Sequence, residues 1–330
     1  MPWVNQEYKY SCFENLAVSI LKQGSIPSHV AFIMDGNRRF AVAQGLQKTE
    51  GHKLGFSKLS HVLRWCYDFG IREVSVYAFS IDNFKRPGNE VSFLMDLAVE
   101  KLNELIEKKD KLDEQGVRVR ILGNLHLLPK KVQRVAARLM LMTNGNSRAI
   151  LNIMMSYSTR DELTATLENI RRGVQMGLLE EQDISPEVID RSSQLRDCRP
   201  LDLLVRTSGE VRLSDFMLWQ ASRSAALFSF FKVNWPAFSF WHLVAALLQF
   251  QLNRAAILPL PEVLMFHLNG TNSTSSMNGH SGVHQPITVD IIESESRKRR
   301  LAKFYAWLEK ESLEDFLTMS HLPETDAIEA

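Results

Sequence analysis

Cysteine is scarce: Cys12, Cys66 and Cys198 are the only three in 330 residues, and no C-x-x-C pair occurs. That argues against a disulfide framework and a cysteine zinc site, and it fits a reducing compartment. Charge of one sign is missing too. Lys+Arg 39 against Asp+Glu 38 leaves +1, so no global field selects nucleic acid and any anion site must be local. No apolar run reaches the roughly 18 residues of a membrane-spanning helix. The longest suspect, Trp235 to Leu260, is broken by Pro236, His242, Gln249, Gln251, Asn253 and Arg254. The N-terminus sets Glu7, Lys9, Glu14 and Lys22 around Leu16 to Leu21; it lacks the layout of a secretory signal and is expected to be retained. There is no Gly-x-x-x-x-Gly-Lys loop, no Gly-x-Gly-x-x-Gly after a strand-like run, and no repeat of solenoid or propeller period.

What is present is an ordinary globular composition, 45% hydrophobic and 23% charged, with Gly 16 and Pro 11. Six β-rich runs recur, at His29–Met34, Glu73–Phe79, Val117–Leu122, Ala149–Met155, Leu201–Arg206 and Ala225–Phe231. Helical patterns alternate with them, at Gly51–Phe69, Asn89–Gln115, Lys131–Met142, Thr159–Met176 and Phe238–Arg254. The expectation is an α/β fold, a single domain over 29–254 with a mostly parallel six-stranded sheet flanked by helices. A helical segment over 1–28 precedes it, and a C-terminal extension over 255–330 follows. Within that extension Leu268–Pro286 reads as flexible linker outside the core. Glu293–Leu317 then reads as a late helix whose face is Leu301, Phe304, Tyr305 and Leu308. The basic run Arg297–Arg300 reads as part of its charged face, and the sequons at Asn269 and Asn272 as linker.

Ligands of open parallel sheets sit beyond the carboxyl ends of the strands, and three such ends are strongly polar. They are Asp35-Gly-Asn-Arg-Arg39, Ser80-Ile-Asp-Asn-Phe-Lys-Arg86 and Arg206-Thr-Ser-Gly-Glu-Val-Arg-Leu-Ser214. Together they place Arg38, Arg39, Arg86, Arg206 and Arg212 at one rim. Gly36 permits a tight turn whose following amides can cradle a phosphate, and arginine forks suit phosphate oxygens. Asp35 is a hard oxygen ligand of the kind Mg²⁺ uses alongside substrate phosphates. An isolated Asp-Gly-Asn also suits a plain polar turn; recurrence at three strand ends is what favours an anion site. His52 reads equally as a hydrogen-bonded histidine near a helix start, and the apolar stripe Val91, Phe93, Leu94, Leu97, Leu102, Leu105 reads as core or as tunnel wall.

These segments, with Gly51-His52, Tyr77 to Pro87 and Leu218-Trp-Gln220, resemble the cis-prenyltransferase family in order and spacing from about His29 to Gln251. Within it they are most similar to the eukaryotic catalytic subunits that make dehydrodolichyl diphosphate. The resemblance implies that isopentenyl diphosphate units are added to farnesyl diphosphate with cis stereochemistry, giving a long polyprenyl diphosphate for dolichol synthesis and protein glycosylation. It implies Asp35 as the Mg²⁺ ligand, and parts for Asn83 and His52 in organising substrate or moving a proton. Asp35, Gly36, Asn37, Arg38, Arg39, Lys48, Ser80 and Phe84 would hold the allylic diphosphate, with Phe84 reading either as core or as pocket wall. Arg39, Arg86, Arg206, Arg212 and Ser214 would hold isopentenyl diphosphate. The Asp-Asp-x-x-Asp motif of trans-prenyltransferases is missing.

The sequence also departs from the family. Ala225 stands where bacterial members carry a magnesium-related glutamate, and Lys48 and Asp82 replace a usual arginine and glutamate. Ala41-Val-Ala43 lacks lysines common after the first motif, and the Phe-rich stretch Leu227–Trp235 runs about two residues long. The C-terminal Arg-x-Gly of members that act alone is missing. The resemblance therefore implies a Nogo-B-receptor-like accessory subunit that supplies it, and peripheral attachment to the cytosolic face of the endoplasmic reticulum membrane through that partner and the product. Trp3–Leu21 either lies on that membrane or caps the domain. The competing expectation is a non-catalytic prenyl-diphosphate-binding or stabilising subunit. A phosphate hydrolase or nucleotide-binding protein stands third.

Overall fold

His29-Val-Ala-Phe-Ile33 forms β1, and all five residues are buried. A strand buried on both faces is what a parallel sheet with two helical layers requires. The computed structural model describes residues 8–254 and 295–323; the expected linker Leu268–Pro286 lies outside them. In chain order the helices are α1 (Cys12–Leu21), α2 (Asn37–Ala43), α3 (Lys48–Phe69), α4 (Gly88–Glu107), α5 (Lys109–Gln115), α6 (Lys130–Thr143), α7 (Thr159–Gln175), α8 (Pro186–Ser192), α9 (Leu218–Arg223), α10 (Phe240–Arg254) and α11 (Glu295–Ser320). The remaining strands are β2 (Glu73–Ser80), β3 (Val117–Leu122), β4 (Ala149–Tyr157), β5 (Leu203–Arg206) and β6 (Leu227–Phe230).

The order is β3-β4-β2-β1-β5-β6, and every pair is parallel. Side chains alternate across the sheet. Val30 and Phe32 join Val74, Val76, Val119, Leu151, Leu203 and Val205 in one core with α3, α4, α6 and α10. Ala31 and Ile33 face the other way, with Leu204, Met154 and Phe216.

Register decides what reaches the rim. Ile33 pairs with Arg206, so Asp35 and the loop after β5 leave the sheet side by side. The β2–β4 ladder slips between Tyr77 and Phe79 and again before Ser80, an irregularity of the kind that re-aims side chains near sites. The expected helix Asn89–Gln115 divides at Lys108, whose backbone leaves the helical region (φ −104°, ψ 25°). The expected start at Gly51 moves back to Lys48, because Gln47 and Glu50 form a reciprocal cap. In α11 the expected face is the one that packs: Leu301, Phe304 and Leu308 sit against Ile170, Leu179 and Val188. The basic run beside it clamps a buried acid, with Arg300 Nε 2.8 Å from Asp183 Oδ2 and Arg297 3.6 Å from Oδ1.

Candidate active site

Two cavities meet at the carboxyl ends of β1, β2 and β5. The first is a polar cleft of about 790 Å³, and of the fourteen residues singled out from the sequence it gathers all but Phe84. Phe84 instead sets its ring edge-on to Phe79, 4.9 Å between centroids, against the main core. The second is an apolar chamber of about 140 Å³ between α3, α4 and β2. The two share Met34, Asn37, His52, Tyr77, Ala78 and Leu94 as a common wall. Leu94, Leu97 and Leu102 of the apolar stripe line the chamber, while Leu105 is core.

Asp35 stands at the centre of the cleft. Its Oδ2 accepts from Arg206 at 2.9 Å and its Oδ1 from the Gly36 amide at 2.7 Å, with Arg39 3.3 Å away. Burial alone would raise this carboxyl; the Arg206 bond and charge, then Arg39 and Gly36, hold it below its usual value. Asp35 is thus an anion in the folded chain. Gly36 takes φ 98°, and a Cβ there would lie 2.4 Å from Asn234 Oδ1, so only glycine makes this turn. Gly51 does comparable work: a Cβ would fall 2.3 Å from the Asn37 carbonyl, so its absence lets α3 close on α2.

Arg206 is nearly fully buried at 3% exposure. Besides Asp35 it donates to Ser214 Oγ at 2.8 Å and to the Arg212 carbonyl, fastening the loop after β5 to the end of β1. Ser80 and Asn83 are joined locally, the Ser80 amide donating to Asn83 Oδ1 at 3.2 Å. Lys48 stands exposed at the mouth.

Three carboxylates that the sequence reading passed over shape the site, two by pairing these cations and one by bracing the segment after the cleft loop. Glu90, on α4, is the hub: Arg86 donates to it at 3.1 Å, Arg38 lies 3.6 Å away and His52 Nε2 3.4 Å away. Its i,i+4 spacing from Arg86 was the available signal. Glu210 bonds both Arg39 and Arg212, at 3.2 and 2.5 Å. Glu162, on α7, is buried and receives the Tyr157 hydroxyl at 2.7 Å and the Gln220 amide at 3.1 Å, tying the segment after the cleft loop to β4. Burial pushes the Glu162 carboxyl up, and those two bonds oppose it. Nothing in its local spacing marked it.

His52 is held below its ordinary value by burial and by Arg86, with Glu90 opposing. It is therefore neutral near pH 7, and its Nε2, without an aligned hydrogen bond, faces the shared wall together with the unpaired Asn37 Oδ1.

Comparison with known proteins gives this arrangement a family. Residues 33–257 match the family model described as "Putative undecaprenyl diphosphate synthase". The human dehydrodolichyl diphosphate synthase complex subunit is 45% identical over 257 residues, spanning 78% of this chain and 76% of its own. The corresponding Schizosaccharomyces pombe subunit is 38% identical over 239 residues, 72% and 90% of the two chains. Among solved structures, lavandulyl diphosphate synthase from Lavandula x intermedia in complex with dimethylallyl diphosphate aligns with a TM-score of 0.64 at 28% identity, covering 68% of this chain and 95% of that one. With a matching model over most of the chain, relatives this similar and a solved neighbour of similar fold, the chain belongs to the undecaprenyl diphosphate synthase family of cis-prenyltransferases.

Proposed function

We propose that this chain is the catalytic subunit of a Mg²⁺-dependent dehydrodolichyl diphosphate synthase, extending farnesyl diphosphate with isopentenyl diphosphate in cis. The observation that carries the reading is the continuity of a cleft holding five arginines with an apolar chamber, which suits a substrate with a diphosphate head and a prenyl tail. Arg38, Arg39 and Lys48 with the Gly36–Asn37 turn take the allylic diphosphate. Arg86, Arg206, Arg212 and Ser214 take isopentenyl diphosphate. Among the described residues no three His, Cys, Asp or Glu side chains cluster as a complete metal site. A lone Asp35 carboxylate facing the cleft fits Mg²⁺, which commonly takes one protein carboxylate and fills its shell from phosphates and water. When bound, the ion would offset charge on the departing diphosphate. The arginines supply preorganised charge to the same end. Asn83 orients the substrates, and His52, kept neutral, accepts or relays the proton lost from the isopentenyl unit. A binding-only subunit is not favoured, since the matched relatives are named as synthases.

A Nogo-B-receptor-like accessory subunit would complete the site with an Arg-x-Gly terminus. Support for a docking face comes from β6, a four-residue edge strand with Phe230 exposed, and from adjoining α10, which exposes Trp241, Leu248 and Leu252. Location at the cytosolic face of the endoplasmic reticulum membrane follows from that partner and the lipid product. No helix of the described residues is long and apolar enough to cross a membrane, and α1 exposes Phe13, Leu16 and Ile20 for surface contact.

The test is incorporation of labelled isopentenyl diphosphate onto farnesyl diphosphate with Mg²⁺, with the chain alone and with the accessory subunit. Activity is expected only with the partner. Asp35→Asn keeps an acceptor for Arg206 and is expected to lose about 10²–10³-fold in turnover with little change in melting temperature. Near-wild-type turnover of that variant overturns the metal assignment, full activity of the chain alone overturns the shared site, and no activity in either case overturns the catalytic reading.

A further inference from the structure

A third cavity, of about 820 Å³, lies at the β3 edge of the sheet and shares no lining residue with the cleft or the chamber. β4 and β2 separate that edge from β1. Its volume falls within the roughly 300–1,000 Å³ of small-molecule sites. β3 and α11 both contribute to its wall. Val117, Val119 and Ile121 face the main core, so Arg118 and Arg120 share the opposite face, about 7 Å apart along the strand. Arg196, which follows α8, joins them in the lining.

These three arginines have little to neutralise them. Among the described residues, the one carboxylate that reaches any of them is Asp197, 3.9 Å from Arg120 and itself half exposed. Arg120, 8% exposed, donates to the Gln194 carbonyl at 2.8 Å and to the Cys198 sulfur at 3.3 Å. Arg118 donates to Asn144 Oδ1 at 2.7 Å, and Arg196 to the Ser193 carbonyl at 3.4 Å. The acids that α11 brings to the cavity serve other cations or none: Glu311 takes Arg172 at 3.0 Å, Asp315 takes His126 at 3.3 Å, and Glu309 is exposed. Burial, then the charges of Arg120 and Arg196, push Arg118 below its usual value, with Asp197 opposing, yet arginine keeps its proton. The cluster is therefore fixed positive charge in a partly enclosed space, where an added anion gains most. The rest of the lining has an apolar part. Leu122 and Leu125 follow the arginines along the chain, and α11 adds Phe316 and the half-exposed Leu313.

We propose that this cavity is a binding site for a small organic phosphate, its anionic group held by Arg118, Arg120 and Arg196 and its apolar part laid between the β3 edge and α11. A ligand so placed touches the sheet and the C-terminal helix at once, so it fastens α11 as well as filling the space. The site is built from residues that the cleft does not use, and the inference does not rest on the synthase reading.

The experiment is amide hydrogen exchange on the full chain with octyl phosphate as the probe, read over β3 and over 308–319 of α11, the stretch that lines the cavity. At about ten times the dissociation constant, exchange in both segments is expected to slow about tenfold. Arg118→Gln combined with Arg196→Gln is expected to abolish that protection, whereas Arg86→Gln, which alters the cleft alone, is expected to keep it. If the double variant does not fold, Arg196→Gln by itself carries the comparison. Equal protection by octanol at the same concentration overturns the anion reading, and equal protection by inorganic phosphate overturns the apolar half. Absence of protection, protection that survives loss of the arginines, or protection that Arg86→Gln removes overturns the site.

Discussion

Thr159→Val should weaken isopentenyl diphosphate binding although Thr159 lies outside the cleft lining. Ser214, Asp215 and Met217 have φ of 52°, 59° and 49°, a left-handed region that costs side-chain-bearing residues about 1–2 kcal/mol each. The loop bearing Arg212 and Ser214 therefore stores about 3–6 kcal/mol of strain, and identifiable bonds must restrain it. The Thr159 amide and hydroxyl both donate to the Asp215 carbonyl, at 2.8 and 3.1 Å, and the Leu218 amide donates to the Thr159 hydroxyl at 3.0 Å. Thr159 is 3% exposed, so water cannot readily replace these bonds. Valine keeps the shape, deletes one donated bond and orphans the Leu218 amide, a loss of about 2–4 kcal/mol. That is comparable with the strain restrained. If about 2 kcal/mol of it appears in binding, KM for isopentenyl diphosphate rises about 30-fold, while KM for the allylic substrate, which we propose is gripped from α2, moves less than about threefold on the same scale. Thr159→Ser preserves both bonds and should restore the wild-type value. Steady-state kinetics with each substrate varied in turn checks this. Parallel rises in both constants, or a lowered melting temperature with neither constant changed, would refute the strained-loop argument.

Two further outcomes concern stability. Burial lowers the His29 pKa, and this 0%-exposed ring is bonded to Ser75 and to the Arg199 carbonyl. The unfolded chain gains a proton near about pH 6.5 that the folded chain does not, so stability falls as pH drops through that value. Melting temperature should decline from pH 7.5 to 5.5, and His29→Gln should flatten the decline; an unchanged slope would assign it to His52, His61 and His242, which burial also lowers. The hydrogen bond from Arg300 holds the buried Asp183 carboxyl below its usual value, so the clamp contributes above the unfolded pKa and fades in acid. Asp183→Asn should speed amide hydrogen exchange along α11, by an opening cost reduced about 1–3 kcal/mol, with kinetics unchanged; unaltered exchange would mean the clamp holds nothing.

Most of the sheet was legible because its strands are buried on both faces and so read as continuous apolar runs between polar breaks. Val117–Leu122 needed no adjustment. The run at Ala225 shrank to Leu227–Phe230 because an edge strand ends where its single neighbour, β5, ends. The five rim arginines converge because strand ends converge, which sequence order and a parallel sheet already imply. Of its two readings, Phe84 takes the core one for a local reason: the chain after β2 turns as a 3₁₀ helix (Ile81–Lys85), and this carries the ring to Phe79 rather than to the cleft. Glu162 was invisible because its partners Tyr157 and Gln220 come from different elements, five and 58 residues away, and no pattern in one sequence records such a meeting.

Glu90 and Glu210 change what the arginines mean. Five arginines in one cleft would repel each other strongly at the short range and reduced dielectric of such a site, and a fold with nothing to quench them would open. Asp35, Glu90 and Glu210 each contact two of them: Asp35 takes Arg206 and Arg39, Glu90 takes Arg86 and Arg38, and Glu210 takes Arg212 and Arg39. These contacts are unequal. Arg206 is buried against Asp35, so that pair is fixed framework, whereas Glu210 is 29% exposed and its arginines 50% and 64%, where ion pairs are worth only about 0–1 kcal/mol. A diphosphate offers the same arginines more charge in a better-shaped fork, so it can displace Glu210 at small cost and cannot displace Asp35. The cleft is therefore stable when empty and yields at the exposed loop, which is also where the strained residues Ser214 and Asp215 lie.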